Sequence, residues 1–509
     1  MKQSQRSVLI LPGMLADEDL GTTIGDLEIQ VSQPDAETDF EILDNHIGSL
    51  QMSGQVLIRA GKTLTLLGGH EGLISQGAAS KGNLVTGLKD GPVKDALQHV
   101  PPLRGLLGVG SGTISHRDLS MTDDENKTLV RAHLTTLNPK GGGDAVTIAA
   151  LHPLRGYDEA LEQLRDHLRA SAETASPDAA DLSPMLFPDQ PRYNAKPDVA
   201  IVENATAWQS AGDVITVYLQ VARENEAGII ADHDTEFLHD YRVALRKVRS
   251  VLSLFKGVYP EEQTAKFKGI ASELMSPTGR LRDLDVYLLA RDDYFAMLPP
   301  SLHKGLALMF EMFRKERRGA HRALAAHLRS SGYHSAITDL QAAFAGTDGP
   351  PKGPMADASV GDYARRLIWK RYRKVCRIAR GITADTPDDQ VHELRIGCKK
   401  LRYLMEFFAP LYPAAAVKPI LKPLKRLQDN LGLFNDYSVQ QAFLQRFMDG
   451  HEPLGHKQDL VLAQSIGALI AVLHERQKEE RARIMASFSQ FDGADIRSQF
   501  RSLFNAKEA

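Results

Sequence analysis

Cysteine is nearly absent from this 509-residue sequence, in which Cys376 and Cys398 are the only two. Two thiols make no disulfide framework, and this usage suits the reducing cytoplasm, which is the expected location. Apolar runs of 18 residues or more are also missing, so no membrane-spanning helix is expected. No charged-then-apolar leader follows Met1-Lys2, which argues against secretion. An overall excess of one charge sign is lacking too: 61 Lys and Arg stand against 64 Asp and Glu. The resulting pI of 6.6 falls short of the value above about 9 that many nucleic-acid-binding domains show. Any anion site must therefore be a concentrated patch.

The balance hides an asymmetry. Residues 1–200 hold 17 Lys and Arg against 27 Asp and Glu, which leaves 44 against 37 for 201–509. The length suffices for two or three domains with full cores, and the positive part is duplicated. Residues 228–286 align without a gap on 381–439, an offset of 153, with 15 identities in 59 pairs. Among the identities are His239/His392, Arg242/Arg395, Arg249/Arg402, Phe255/Phe408, Tyr259/Tyr412, Gly279/Gly432 and Asp283/Asp436. Such self-similarity marks a tandem repeat.

On a helix, Leu238, Tyr241, Leu245, Val248 and Leu252 fall within an arc of roughly 80°, a core stripe. His239, Arg242, Arg246 and Arg249 fill the neighbouring arc along roughly 15 Å of axis. The second copy repeats this with Val391, Leu394, Cys398, Leu401 and Met405 beside His392, Arg395, Lys399 and Arg402. Lys247 and Lys400 point further round. A charged helix face is usually just its solvated side. Here the stripe is of one sign, with i±4 carboxylates just at its ends in the second copy (Asp388 and Glu406), lies beside the core where long side chains line a groove, and recurs at identical spacing. Like charges at i,i+4 repel by a few tenths of a kcal/mol per pair, which a bound anion would relieve.

These motifs, His-acidic-hydrophobic-Arg followed by Arg/Lys-Lys-hydrophobic-Arg, then Phe, Tyr-Pro and Gly-x-x-Arg/Asn-Asp, resemble the CHAD family, the conserved histidine α-helical domain. The resemblance covers about 200–507. It implies an all-helical fold of two similar bundles around a basic cavity, and inorganic polyphosphate as ligand. The repeats are expected at about 203–346 and 356–507.

Residues 1–170 read as a β-rich domain. Runs at Ser7-Leu11, Leu27-Val31, Phe40-Leu43, Gln55-Arg59, Thr63-Leu67, Leu129-Leu137 and Ala145-Leu151 are separated by turn signals, and Gly156 to Ala170 has helical periodicity. The hairpin around Arg59-Ala60-Gly61, with Leu154-Arg155-Gly156-Tyr157 opening the last helix, resembles the CYTH or triphosphate-tunnel family, a closed antiparallel barrel using a divalent metal. That family's Glu-x-Glu-x-Lys strand is absent; the first strand is Ser7-Val8-Leu9-Ile10-Leu11-Pro12. Hard cations need several oxygen ligands, so a degenerate, non-catalytic barrel without metal or cofactor is expected. The overall fold class is α+β multidomain: a β-barrel-like domain, a Ser/Pro-rich linker over 171–199, and an all-α domain of two tandem bundles.

Further cations extend the expected site. The helix 361–380 carries eight, among them Arg365, Arg366 and Arg373. Arg282, with Arg280, and Lys425, with Lys422 and Arg426, approach two matching Gly turns at Gly279 and Gly432, where Asp283 and Asp436 either cap helices or pair with the stripe. The clusters Arg314–Arg318 and Arg476–Arg483 read as solvated faces. The reading is a non-catalytic polyphosphate-binding protein, with association with polyphosphate granules as an extension of that reading. Two alternatives stand beside it. A nucleic-acid-binding module would want aromatic stacking platforms, whereas Tyr241, Tyr403 and Phe407 fall at or near core positions. A triphosphate or polyphosphate hydrolase would have to use the N-terminal domain.

Overall fold

The structure, a computed structural model, describes residues 7–69, 72–171, 178–190, 192–202, 204–345, 349–383 and 386–505. Met1-Lys2, Ser176-Pro177, Pro191 and Asp385 lie outside the described residues. The chain forms two compact units, 1–195 with 233–236 and 196–232 with 237–509.

The first unit is built on an antiparallel sheet of β1 (Ser7–Pro12), β2 (Thr23–Ile24), β3 (Leu27–Val31), β4 (Thr38–Asp44), β5 (Gln55–Ala60), β6 (Thr63–Gly68), β7 (Leu73–Gly77), β8 (Leu107–Thr122), β9 (Thr128–Pro139) and β10 (Val146–Pro153). The order is β1-β10-β9-β8-β4-β5-β6-β7, with β3 also on β8 and β2 on β3. β8 pairs with β9 along one edge, while β4 and β3 share the other. The sheet curls as a half-barrel whose ends, β1 and β7, are not paired with each other among the described residues. The closed barrel implied by the resemblance is thus not seen.

Both faces of this sheet are apolar, because successive strand residues point to opposite sides. Ile10, Ile42, Ile58 and Ile148 pack against Ala179, Leu182 and Leu186 of the helix Ala179–Leu186. On the other face Leu9, Leu11, Leu119 and Leu151 meet Leu161, Leu164 and Leu168 of the helix Asp158–Ala170. At the far end of that side Leu57, Leu64 and Leu66 meet Val93 and Leu97. Part of the segment read as a linker is therefore a core helix, started by Asp178 in a capping box with Asp181.

The second unit is helical. The first copy holds Ala207–Ala231, Thr235–Leu254 (the first motif helix), Glu261–Met275, Gly279–Leu289, His303–Leu328 and Ser331–Phe344; the second holds Val360–Arg380, Asp388–Phe407 (the second motif helix), Ala414–Gly450, His456–Phe491 and Ala494–Phe504. The predicted core stripes are buried: Leu238, Tyr241, Leu245, Val248 and Leu252 in one, Val391, Leu394, Cys398, Leu401 and Met405 in the other. Burying each such side chain contributes about 1.5–3 kcal/mol.

The expected Gly turns differ from the structure. Gly279 follows a short 3-10 segment at an ordinary helical φ of −62°, and Gly432 lies inside the unbroken helix Ala414–Gly450. Asp283 and Asp436 are consequently mid-helix residues, not caps. Arg317, expected to be solvated, bonds both oxygens of Asp232 at 2.6 and 2.7 Å and reaches the buried Asp285 at 2.7 Å.

The copies meet their own images. Phe255 stacks on Phe408 with centroids 4.9 Å apart, and the Tyr287 hydroxyl lies 3.5 Å from the carbonyl of Gln440. Each pair is separated by the repeat offset of 153, so each sits on a pseudo-two-fold axis, as in an isologous dimer. Beside that axis Tyr287, Phe313, Phe443, Leu444, Ile466 and Leu469 form a core shared by both copies.

Candidate anion-binding site

The two motif helices place their cation stripes close to this axis. Arg246 and Lys399, again counterparts, act on each other directly. Burial, with Arg246 and Arg395 alongside, pulls the Lys399 ammonium down to about 8, against the opposing pull of Asp436. Burial and the neighbouring Arg246 also lower Arg242, with Arg282 adding to the effect and Asp283 opposing it. The Nε of Arg246 is buried without a hydrogen-bond partner among the described residues. Cations held this close at a partly dry surface want a compensating anion.

Around this centre the duplication repeats its contacts with different chemistry. Arg282 Nη2 donates to His239 Nδ1 at 2.9 Å; arginine has no acceptor, so that ring nitrogen carries no proton in this arrangement. At the matching place His392 Nδ1 lies 2.7 Å from Asn435 Oδ1. Arg395 stands 3.7 Å from Asp436, and Arg242 beside Asp283 while also bonding Thr278. Burial raises the Asp283 carboxyl despite Arg242, Arg280, Arg446 and Arg282 around it. Arg446 was not anticipated; it lies on Ala414–Gly450, far along the sequence from either motif.

Glu406, the carboxylate four residues beyond Arg402 at the end of the second stripe, joins the two copies. It takes Lys247 at 2.6 Å and Arg402 at 2.5 Å, and these cations hold its carboxyl below the usual range although burial opposes them. Lys247 sits over Tyr403 and Phe407 at 4.8 and 5.0 Å from the ring centroids. It is a clamp between the copies and not an open charge. Arg402 further lines a cleft of about 510 Å³ with Glu406, Leu421, Lys422, Lys425, Arg426 and Asp429, which puts Lys425 on the same cleft as Arg402. Arg249 is half-buried and makes no hydrogen bond or ion pair among the described residues.

The helix Val360–Arg380 is arranged differently from the expectation. Arg365 pairs with Asp362 one turn away, Arg366 lies against Tyr363 of its own helix, and Arg373 is exposed. None of the three is brought to the stripe by a contact among the described residues. Instead Arg371 and Lys374 act on Lys400, together with Lys256 and Lys268.

In the first unit, β1 supplies Leu9 and Leu11 to one core and Ile10 to the other. The residues there do not fit a metal-binding carboxylate strand. No group of three or more His, Cys, Asp or Glu that could hold a metal occurs among the described residues, and no described helix is long and apolar enough to cross a membrane.

A duplicated helical unit with one cation stripe from each copy beside a pseudo-two-fold axis defines the class. Residues 213–445 match the family model of the CHAD domain. Two solved structures are similar: the crystal structure of the CHAD domain from the plant Ricinus communis, at 25% identity, TM-score 0.48, covering 60% of this chain and 96% of that one; and PptA from Streptomyces chartreusis, at 17% identity, TM-score 0.41, covering 56% and 99%. No curated protein matches.

Proposed function

We propose that the helical unit binds inorganic polyphosphate without chemically altering it, the chain lying along the two stripes. The observation that carries this is the convergence of Arg246, Lys399 and Arg395 at a partly dry surface, where burial first and the neighbouring cations next depress the Lys399 ammonium to about 8. Such an arrangement stores repulsion that a row of phosphates relieves. Arg242, Arg249, Arg395 and Arg402 supply planar donors able to engage two phosphate oxygens at once, while Lys399 and Lys425 supply mobile point charges. Charged hydrogen bonds of this kind contribute about 1.5–3 kcal/mol each, so a handful gives tight binding. His239 and His392 flank the row.

Base-bearing polymers fit less well. Tyr241 and Phe407 are buried and Tyr403 is engaged by Lys247, which leaves these rings poorly placed to stack on bases. The first unit contributes no catalysis in this reading. Its support is the apolar packing on both sheet faces, where a triphosphate site would need charge, together with the absent Glu-x-Glu-x-Lys strand.

The test is a titration of the whole protein with long-chain polyphosphate and with single-stranded RNA of matched charge, at low and near-physiological salt, beside a variant with Arg242, Arg249, Arg395 and Arg402 changed to Ala. Polyphosphate binding that outlasts RNA binding as salt rises and drops at least 100-fold in the variant is expected. Equal RNA binding, or an unimpaired variant, would refute the proposal.

A further inference from the structure

We infer that the second motif helix carries a separate phosphate-chain contact on its other flank, made by Lys400, Arg371, Lys374, Lys256 and Lys268, which engages chains long enough to run past the stripe. This rests on the polyphosphate reading above and adds a chain-length dependence to it.

Lys399 and Lys400 are 100° apart around the helix, so the two contacts flank a ridge between them. That ridge is open: His392 is exposed, and Ile396 is 36% exposed. On the Lys400 side the helix Val360–Arg380 packs closely, for a Cβ on Gly397 would come within 3.3 Å of Val375. Lys374 Nζ lies 3.1 Å from Glu393, and Arg371, one turn back along that helix, acts electrostatically on Lys400, two turns beyond Glu393. The first copy reaches the same place. The Tyr363 hydroxyl donates to the backbone carbonyl of Lys256 at 2.9 Å, which fixes the end of the first motif helix beside Val360–Arg380.

Four cations from three other chain segments thus act on Lys400, and of these five Lys374 alone has an ion-pair partner among the described residues. The charges acting most strongly on Lys400 are Arg371, Lys374, Lys256 and Lys268, all of one sign. The contrast with its counterpart is informative. Lys247 is neutralised by Glu406, whereas the residue matching Glu406 in the first copy is Ser253, which offers Lys400 no carboxylate. A polymer leaving Lys399 over the low His392–Ile396 ridge meets this patch next, with no aromatic platform on the ridge to favour bases.

The experiment compares the full-length protein with R371A/K400A and with the charge-preserving R371K/K400R. The ligands are long-chain polyphosphate and an oligophosphate just long enough to cover the roughly 15 Å stripe. R371A/K400A is expected to weaken the long chain about tenfold and reduce the log–log salt slope by about two, leave the short chain within twofold, and keep the parent's melting curve. R371K/K400R should bind both ligands as the parent does. Unchanged long-chain affinity, or equal losses for both ligands, would overturn the inference while leaving the stripe intact. So would short chains that fail to bind the parent, or a variant that loses RNA binding but keeps polyphosphate. A parent that binds no polyphosphate at all would sink the proposed function and this inference together.

Discussion

The two copies place equivalent residues at equivalent positions and then treat them differently. His239 accepts from Arg282 where His392 meets Asn435. Lys247 is locked to Glu406, while Lys400 has the cations Arg371, Lys374, Lys256 and Lys268 acting on it and Ser253 is the counterpart of Glu406. Gly228 must be glycine because a Cβ there would strike the Phe237 ring at 2.1 Å; at Gly381 the nearest atom would be 3.4 Å away. Duplication fixes where a side chain sits, and later substitution decides whether its charge is internally paired or left for a ligand.

That contrast can be attacked directly. The largest effect is expected from Glu406→Gln, which strands Lys247 and Arg402 at a partly buried site. Discounted for its partial exposure, the loss should be about 2 kcal/mol in chemical denaturation. A loss below about 0.5 kcal/mol would mean the clamp is screened by solvent. Next comes pH. Unfolded lysine holds its proton to about 10.4, whereas folded, ligand-free Lys399 gives it up near 8. Between these values the unfolded chain holds more protons, so this group's contribution to stability improves as pH rises and is a constant penalty below 8. Bound phosphate restores the proton. Polyphosphate affinity should therefore be flat below pH 8 with respect to this group and fall by up to tenfold per unit above it, and Lys399→Arg should flatten that limb in calorimetric titrations.

A third, smaller test completes the broken symmetry. Ser253→Glu should give Lys400 the carboxylate that Glu406 gives Lys247, stabilising the protein by about 0.5–1 kcal/mol and weakening long-chain binding severalfold. If melting and binding are both unmoved, the two sides of the axis are less alike than the repeat implies. Smallest is the pair Asp283→Asn and Asp436→Asn. Each removes a carboxylate that competes with phosphate for Arg242 or Arg395, and a two- to fivefold tightening is expected from fluorescence titration.

How much of this was legible in sequence depended on periodicity. The motif helices, their core faces and the duplication are written in spacings of three and four, and seven strand runs in spacings of two. β8 was hidden by Gly108, Gly110 and Gly112, which look like turn residues. They are glycine because a Cβ would collide with Glu41, the Phe187 ring and the Asn138 carbonyl respectively. The helix Ala179–Leu186 was hidden by Ser-Pro pairs, with Pro184 tolerated inside it. The i,i+4 spacing of Arg402 and Glu406 is legible, but the pairing of Glu406 with Lys247 and the roles of Arg446 and Arg371 depend on which helices pack side by side, and no local pattern encodes that. The same missing information covers Arg365 and Arg366, which are taken up by Asp362 and Tyr363 of their own helix.

The pseudo-two-fold axis through Phe255/Phe408 and Tyr287/Gln440 has a consequence for direction. A nucleic acid strand has two different ends, and a site with two-fold symmetry can match its polarity in one half only. A linear chain of identical phosphates reads the same from either end, so it can enter such a site in both orientations with equivalent contacts. Where the copies have diverged, as at Lys247 and Lys400, the two halves of the site no longer offer such a chain the same contacts.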